Sequence, residues 1–339
     1  MKRIVTIKDV ARKLGISPST VSRALRDNPE LSSETKRKVR EAVEELNYQP
    51  NPIALSLRQN KTNSIGVIIP EIVHFYFSTV ISGIEEITYQ NGYHALITQS
   101  NELYDREKDN CKALYESRVD GFLIGVSKKT ENFDHILALM DKGFPVVFLD
   151  RAVDVVDCSV VKTNDLLGGY KATRHLIEQG CQKIAHISGP ENLIVSKERK
   201  KGYENALKEA HLNAPLIISL DYPLVSSDHG TLKNFIEEHQ PDGVFIHNDM
   251  IAIQLLELLN KWNYKVPAQI KVIGYSNWFF TKHTTPSLST VEQYGYDLGK
   301  SAAELLLNEI KGKKDEFIEP QKILVEPEVV VRASSVNPE

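Results

Sequence analysis

The stretch TIKDVARKLGISPSTVSRAL, residues 6–25, contains two short helical patterns separated by a glycine. In the first pattern, apolar residues recur from Ile7 to Leu14 at the spacing of one helix face, and Gly15 ends the helix. In the second pattern, Ser17 is placed to cap the helix. Two short helices joined by a tight turn are typical of a helix-turn-helix, whose second helix presents its first residues to the DNA major groove.

The outer face of the second helix is made of small hydroxyls and one arginine. Ser19, Ser22 and Arg23 point outward in this pattern, while the apolar residues are left to pack against the first helix. Short hydroxyls let a helix approach DNA closely, and the arginine fork matches O6 and N7 of guanine. The face therefore predicts a DNA contact. The alternative is that residues 6–47 form only a small helical bundle.

A third helical pattern runs from Ser32 or Ser33 to about Asn47 and is stopped by Pro50. It carries a cluster of four basic residues, Lys36, Arg37, Lys38 and Arg40. These side chains either contact DNA phosphates or form an ordinary solvated face, and the sequence leaves both interpretations open.

Charge is distributed unevenly along the 339 residues. Residues 1–61 have 13 Lys and Arg against 7 Asp and Glu, a net charge of +6, whereas the remainder has a net charge of −10. A basic head on an acidic body predicts that the head meets a polyanion and the body does not. We expect a cytoplasmic protein, because the sequence shows neither a signal peptide nor an apolar run long enough to span a membrane.

The chain beyond residue 64 consists of short apolar runs that alternate with helical patterns. Such alternation predicts parallel sheets covered on both faces, and a chain of this length exceeds the size of a single core. The fold class we predict is a small all-α helix-turn-helix head followed by an α/β body of two doubly wound parallel-sheet subdomains. The predicted strands are residues 64–70, 93–98, 121–125, 145–150, 183–188, 243–247 and 270–275. Residues 323–334 are predicted to add a late pair of strands.

Several blocks resemble those of one family of bacterial transcriptional regulators, the lac-repressor and gal-repressor type. TIKDVARKLGISPSTVSRAL and SSETKRKVREAVEELNYQPN carry the resemblance in the head. GVIIPEI, VDGFLIG, PVVFLDR, HLIEQGCQKIAHISGP, VIGY and TTPSLSTV carry it through the body in the same order. The resemblance implies a body like that of periplasmic sugar-binding proteins, with a ligand held between two α/β subdomains. The expected domains are a head (1–48), a hinge helix and linker (49–61), an N-terminal effector subdomain (62–164 and 292–322) and a C-terminal effector subdomain (165–291 and 323–339).

The resemblance also implies which residues contact DNA. In the family, the residues matching Pro18, Ser19 and Arg23 face the major groove, and those matching Thr20 and Ser22 help on the backbone. The full set of expected DNA contacts is Thr6, Ser17, Pro18, Ser19, Thr20, Ser22, Arg23, Asn28, Tyr48, Asn51, Ala54 and Leu57.

The segment NPIALSLR, residues 51–58, is expected to be a hinge. So short a helix does not offset its own nucleation cost, so it should be mostly unfolded in isolation. In the family the segment becomes helical when two copies pair over the operator, and the leucine matching Leu57 wedges into the minor groove. Packing of that leucine on its own domain is the alternative. The hinge implies a homodimer on a pseudo-palindromic double-stranded operator.

Ligands of open parallel sheets bind at the carboxyl ends of the strands, where this chain places several polar and aromatic residues. The resemblance assigns ligand contacts to Tyr76, Phe77, Arg199, Tyr222, Asn248, Asp249 and Ser276. Ordinary helix packing is the alternative for the first two. Where this chain has Ser276 the family usually has an aspartate that grips sugar hydroxyls, which argues against an ordinary hexose or pentose.

Two further features bear on the ligand. Leu193 and Val195 lie where purine-responsive relatives have polar residues, which argues against a purine. Trp278, Phe279 and Phe280 crowd the loop after the last predicted strand, where they either add aromatic surface to the pocket or pack the hinge.

The function predicted from these features is a transcriptional regulator, a repressor, controlled by a small-molecule effector related to carbohydrates. No cofactor and no metal is expected, since the three cysteines lie far apart without CxxC spacing. An enzyme is disfavoured because the sequence has no P-loop, HExxH or GxSxG motif. A transport-type binding protein would share the body, but it would need an export signal and no basic head.

Overall fold

The computed structural model describes residues 5–49, 61–73, 75–151, 158–212, 214–221, 224–312 and 319–336. The chain divides into two compact units, Met1–Asn63 and Ser64–Glu339. None of the described helices is long and apolar enough to cross a membrane.

The first unit is a bundle of three helices, α1 (Ile7–Leu14), α2 (Pro18–Ala24) and α3 (Ser33–Glu45). Val10, Val21 and Val39, one from each helix, are completely buried against one another. Each helix begins at a hydroxyl residue, as the sequence predicts. At α2 and α3 the cap hydroxyls accept the backbone N–H three residues on, at 3.1 and 3.2 Å. The predicted helix-turn-helix is confirmed as a fold.

The second unit contains two parallel sheets of six and four strands. The strands of the first sheet, in spatial order, are β11 (Lys322–Val325), β5 (Ser159–Thr163), β4 (Val146–Leu149), β3 (Phe122–Ile124), β1 (Ser64–Ile69) and β2 (His94–Gln99). Those of the second sheet are β7 (Leu216–Ser219), β6 (Ile184–Ser188), β8 (Gly243–Ile246) and β9 (Lys271–Ile273). The predicted body of two doubly wound sheets is confirmed.

The sheets are covered by eight described helices, which supply the crossovers that parallel strands require. These are α4 (Phe75–Gln90), α5 (Tyr104–Glu116), α6 (Asp134–Asp141), α7 (Asp165–Glu178), α8 (Ile194–Glu209), α9 (Ser226–His239), α10 (Asp249–Lys261) and α11 (Gly295–Lys311). A 3-10 turn, Phe279–His283, follows β9. Separate apolar clusters fill the interior on the faces of each sheet.

The chain passes between the two sheets three times. It leaves the first sheet after β5, returns through β10 (Thr290–Glu292) to α11 and β11, and leaves again to form β12 (Glu328–Val330). β10 and β12 pair antiparallel as a two-stranded ribbon. The segments that join the subdomains therefore lie side by side, the arrangement expected of a hinge.

The predicted boundary at residue 323 is wrong by a few residues. β11 pairs in parallel with β5, Lys322 opposite Val160, so residues 322–325 complete the first sheet rather than the second. This pairing satisfies backbone groups that β5 would otherwise leave open at the sheet edge. The predicted late strands both form, but β11 and β12 pair with different partners and not with each other.

Candidate functional site

The exposed face of α2 presents the side chains expected to meet DNA. Ser17, Pro18, Ser19 and Arg23 are exposed, and the Ser17 hydroxyl lies 2.7 Å from that of Ser19. Arg23 Nη1 lies 3.4 Å from Glu30 Oε2, a solvent-exposed contact of little strength. The guanidinium is therefore available to exchange this partner for another.

Other expected DNA contacts have structural roles as well. Thr6 starts α1 and donates its hydroxyl to Asp9 at 2.7 Å. Thr20 and Ser22 are half-buried on α2, and Asn28 accepts the backbone N–H of Glu30 at 2.9 Å. The remaining expected DNA contacts lie elsewhere: Tyr48 is buried in the three-helix core, while Asn51, Ala54 and Leu57 lie outside the described residues.

The basic cluster of α3 is paired with carboxylates. Arg37 binds Glu41 and Lys38 binds Glu34, each at 2.8 Å, and Arg40 binds Asp27 at 2.9 Å. Exposed pairs of this kind are weak and exchangeable, so they leave both interpretations of α3 open.

In the body, the carboxyl ends of both sheets open onto a cleft with a cavity of about 130 Å³. Six of the seven expected effector residues line this cavity, and Tyr222 lies outside the described residues. The lining residues are Phe75, Tyr76, Phe77, Asp150, Arg151, Leu193, Val195, Arg199, His247, Asn248, Asp249, Met250, Ser276, Trp278 and Gln293.

Arg199 is the buried cation of the cleft. Its Nε donates to Asp165 Oδ1 at 2.7 Å, and its Nη1 donates to the carbonyl of His247 at 2.6 Å. The guanidinium also lies 3.8 Å from the centre of the Tyr275 ring. Among the described residues Nη2 has no hydrogen-bond partner, so it is the donor left for a ligand.

Asp165 begins α7, immediately after the first chain crossing. Burial raises the pKa of its carboxyl, and the Arg199 guanidinium opposes that shift. Arg199 therefore joins the end of β8 to the start of α7. A ligand that touches this guanidinium contacts the hinge through a single side chain.

On the opposite wall, Asp150 follows β4 and accepts the hydroxyl of Tyr76 at 2.8 Å. Burial and the nearby Asp165 charge raise the pKa of Asp150. Tyr76 and Phe77 are both buried and meet edge to face, with ring centres 5.3 Å apart. They belong to the core cluster of the first sheet and also line the cavity, so both interpretations offered by the sequence describe them in part.

Asn248 and Asp249 form the start of α10. Asn248 Oδ1 caps the helix by accepting the N–H of Ile251 at 2.8 Å. The Asp249 carboxylate accepts the N–H of Trp278 at 2.8 Å and the hydroxyl of Thr290 at 2.6 Å. Burial raises the pKa of Asp249 to about 6, against the lowering effect of these hydrogen bonds. Both oxygens of Asp249 are thus used to fix the loop that carries Trp278.

Ser276, the departure from the family pattern, donates its hydroxyl to Gln293 Oε1 at 2.8 Å. Its backbone φ is 120° and that of Asn277 is 49°, both in the region that L-residues seldom occupy. Trp278 follows this strained backbone and lines the cavity. A neutral hydroxyl and amide therefore stand where an aspartate would bring a charge.

The lining of the cavity holds two carboxyls, Asp150 and Asp249, and two guanidiniums, Arg151 and Arg199. Asp150, Asp165 and Asp249 line or adjoin the cavity, while Arg199 already serves Asp165 and Arg151 binds Glu102 through Nη1 at 2.8 Å. Burial lowers the pKa of His247 well below its usual value, so this imidazole is neutral. Among the described residues both guanidiniums of the lining already bind a carboxylate, so a negatively charged ligand would compete with these partners.

Several of these groups were not predicted from the sequence, Arg151 and His247 among them. Asp150, Asp165 and Gln293 were not assigned, although Asp150 ends a predicted strand at the edge where ligands bind. Asp165 and Gln293 follow strands β5 and β10, neither of which was predicted. Recognising those two strands would have brought both residues to the cleft.

Comparisons with known proteins agree with this architecture. Residues 6–51 match the bacterial regulatory proteins of the lacI family, and residues 173–335 match a periplasmic binding protein-like domain. The HTH-type transcriptional repressor PurR of Vibrio atlanticus is 35% identical over 333 residues, covering 98% of each chain. The repressor of the same name from Vibrio campbellii is 35% identical over 335 residues, covering 97% of this chain and 98% of that one.

Solved structures give the same fold. A lac repressor dimer bound to operator and the anti-inducer ONPF matches with a TM-score of 0.85 at 24% identity, covering 99% of this chain and 100% of that one. The regulator CelR in its complex with cellobiose matches with a TM-score of 0.73 at 25% identity, covering 97% and 99%.

Proposed function

The chain belongs to the lacI family of bacterial regulatory proteins and is a DNA-binding transcriptional regulator, and from this we propose its partners and its ligand. It acts in the cytoplasm as a homodimeric repressor on a pseudo-palindromic operator. An uncharged, carbohydrate-related effector in the cleft changes the affinity of the repressor for its operator. The observation that carries the proposal is the buried Arg199, which faces the cavity and binds the first residue after the hinge.

The DNA side of the proposal rests on α2. Its exposed hydroxyls and Arg23 form one face, while α1 and α3 bury its other side, and we assign the exposed face to a major groove. Arg23 is assigned to a guanine, since its fork matches two acceptors at once. The segment with Asn51, Ala54 and Leu57 is assigned to the minor groove.

The charge balance of the cleft supports an uncharged effector. Phosphorylated sugars and sugar acids bring an anion close to Asp150, whereas hydroxyl groups donate to this carboxylate at no electrostatic cost. The Nη2 group of Arg199 is then free to donate to a ring or hydroxyl oxygen. Phe75 and Trp278 supply the apolar faces against which a sugar ring packs.

A purine is the second candidate, because the relatives that match nearly the whole chain bear the name PurR. Aromatic walls suit a flat base, but Leu193 and Val195 present apolar surface to the cavity where a base edge needs hydrogen-bond partners. A neutral sugar and a purine differ little in charge and polarity. A single ligand screen therefore tests both.

The coupling between effector and DNA is a difference in ligand affinity between two arrangements of the subdomains. Arg199 and Asp165 join one wall of the cleft to the first crossing, and Ser276 and Gln293 join it to the second. A ligand that bridges both walls favours the arrangement in which these groups converge.

The test combines operator selection with a ligand screen on the full chain. Selection from random duplexes should yield a two-fold symmetric site, and sedimentation should give a dimer on it. Thermal shifts with neutral sugars, sugar phosphates, sugar acids and purine bases then identify the ligand class. Failure to enrich any sequence over random competitor would overturn the regulatory role, and stabilisation by sugar phosphates or purines alone would overturn the neutral carbohydrate.

A further inference from the structure

Arg23, the residue assigned to a guanine, has one side-chain partner within the described part of the head. Its Nη1 group lies 3.4 Å from Glu30 Oε2, while its Nε and Nη2 groups have no hydrogen-bond partner among those residues. Nε and Nη2 form one edge of the guanidinium, and the two parallel N–H groups of this edge match O6 and N7 of guanine. Arg23 can therefore bind a guanine through two hydrogen bonds without leaving Glu30.

The turn between α2 and α3 folds back over the end of α2 and brings Glu30 next to Arg23. The backbone N–H of Asn28 donates to the carbonyl of Arg23 itself at 3.2 Å, and that of Leu31 donates to the carbonyl of Asn28 at 3.2 Å. Asn28 Oδ1 accepts the N–H of Glu30 at 2.9 Å. Leu31 packs against the three-helix core. The backbone of Glu30 is therefore held on both sides.

Asp27 fixes the start of this turn. Its φ is 54°, in the left-handed region, where the chain can reverse its direction. Arg40 Nη2 donates to both carboxylate oxygens of Asp27, at 2.9 and 3.0 Å, and Lys36 Nζ donates to its carbonyl at 3.0 Å. Both cations belong to α3. The position of Glu30 is thus set by the turn and by α3, and not by its contact with Arg23 alone.

A carboxylate is unexpected on a surface that approaches DNA. The side chain of Glu30 is 73% exposed, so packing does not require it, and a negative charge near phosphates weakens binding to every sequence. An arginine that moves freely also exchanges a base for a phosphate, which carries no sequence information. A carboxylate that holds one nitrogen of the guanidinium restricts this exchange, because it fixes the plane of the fork.

We propose that Glu30 is a positioning residue for base recognition: it holds Nη1 of Arg23 and leaves the edge formed by Nε and Nη2 for a guanine. Glu30 thereby lowers the affinity for DNA in general and raises the preference for guanine at the base pair that Arg23 reads. The contact is weak in water, but DNA displaces water from it and strengthens it. This inference rests on the proposed function, because it assumes the assignment of Arg23 to a guanine.

The experiment measures the affinity of the full chain for the selected operator, for its variants at the base pair whose choice Arg23→Ala relaxes, and for a random duplex. Glu30→Ala should lower the preference for guanine at that pair about three- to tenfold, since one ion pair drawn partly out of water is lost. Affinity for the random duplex should stay the same or rise, because a negative charge is removed.

Glu41→Ala is the matched control. Glu41 is another exposed carboxylate of the head that binds an arginine, Arg37 at 2.8 Å, so this variant loses the same charge without touching Arg23. The preference for guanine should persist in it. A second comparison uses Arg23→Lys, which has no fork to position. In that background Glu30→Ala should no longer alter base preference.

Three results would overturn the role of Glu30 while leaving the proposed function intact. They are an unchanged guanine preference in Glu30→Ala, an equal loss of preference in Glu41→Ala, and an equal loss when Glu30→Ala is combined with Arg23→Lys. If Arg23→Ala relaxes no base pair of the operator, the assignment of Arg23 to a guanine is overturned, and this inference with it.

Discussion

At the scale of single residues, substitutions of Arg23 distinguish two contributions to operator binding, the shape of the guanidinium fork and its positive charge. We predict that Arg23→Ala costs about 1–3 kcal/mol on the selected operator and relaxes the choice of one base pair. Arg23→Lys keeps the charge but loses the fork, so it should relax the same base pair with a smaller loss of affinity. Titrations on the operator and on its single-base variants measure both effects.

Arg37→Ala provides the comparison for Arg23. Arg37 is exposed on α3 and bound to Glu41, so its loss should leave base preference unchanged. An equal loss on all sequences in Arg23→Ala would show that Arg23 contacts only phosphate.

A second prediction concerns the buried pair of Arg199 and Asp165. Arg199→Met leaves the Asp165 carboxylate without its partner at full burial, which should lower the free energy of unfolding by about 3–5 kcal/mol. The double variant Arg199→Met with Asp165→Asn removes both charges and should recover much of that loss. Urea denaturation of the three proteins checks the expected order.

The same double variant isolates the ligand role of Arg199. Because Nη2 is lost while the fold is retained, the effector should no longer alter operator affinity, although operator binding without effector persists. A full effector response in the double variant would exclude Arg199 from ligand binding.

A third prediction follows from Asp249. Its folded-state pKa is about 6 and its unfolded value 3.8, so the protonated form is favoured by folding. The associated stability is present below pH 4 and is lost as the pH rises through 6, a change of about 3 kcal/mol. Relative to Asp249→Asn, which does not titrate, the protein should therefore become less stable between pH 4 and pH 7. A constant difference between the two over this range would contradict the assignment.

Much of the site could be predicted from residues near predicted strand ends, but its hydrogen-bond partners could not. Arg199 was recognisable by its place in a family block, whereas its bond to Asp165 depends on how α7 and α8 cross. Asp249 was expected at the ligand, and the structure shows it holding the Trp278 loop instead of leaving an oxygen free. Sequence spacing predicts which residues lie near a cleft. Tertiary packing determines which hydrogen-bond partner each of them has.

At the scale of elements, the crossing of α7 and α8 depends on glycine. A Cβ added at Gly202 would lie 2.1 Å from the carbonyl oxygen of Leu166, and one at Gly169 would lie 2.2 Å from that of Arg199. The LGGY sequence at residues 167–170 is therefore a helix contact. We predict that Gly202→Ala lowers the free energy of unfolding by at least about 2 kcal/mol through overpacking.

Gly230→Ala is a matched control within α9. Nothing lies within 4 Å of a Cβ at Gly230, so the substitution should raise stability by up to about 1 kcal/mol through helix propensity. Equal effects of the two substitutions in thermal or urea unfolding would show that close packing at α7 and α8 does not matter.

The strands that could be predicted are those with uninterrupted apolar runs, such as β1 and β8. β5 was not predicted because Lys162 interrupts its apolar run. The structure shows why the lysine is tolerated, since its ammonium binds Glu198 at 2.6 Å. β7 is a half-buried edge strand and β10 has three residues, so neither has the apolar length that identifies a strand.

At the scale of the whole molecule, the uneven charge predicts that operator affinity and effector affinity depend differently on salt concentration. Operator affinity should fall roughly a hundredfold or more between 50 and 200 mM salt, because phosphate contacts release counterions. Affinity for an uncharged effector should change less than twofold over the same range, since no charge is added to the cleft. Parallel titrations of both ligands on the same preparation measure the two slopes.

A neutral effector whose binding weakens steeply with salt would contradict the charge assignment of the cleft. An operator affinity that is insensitive to salt would contradict the role of the basic head.

The pairing of β11 with β5 has a consequence for synthesis of the chain on the ribosome. About 160 residues separate Thr163 from Lys322, so the first sheet keeps an open edge until those residues have been translated. At roughly 5–20 residues per second, that interval lasts about 8–30 s. A nascent chain halted before β11 therefore keeps the outer edge of β5 unpaired, and an open strand edge of this kind is a template for pairing with other chains.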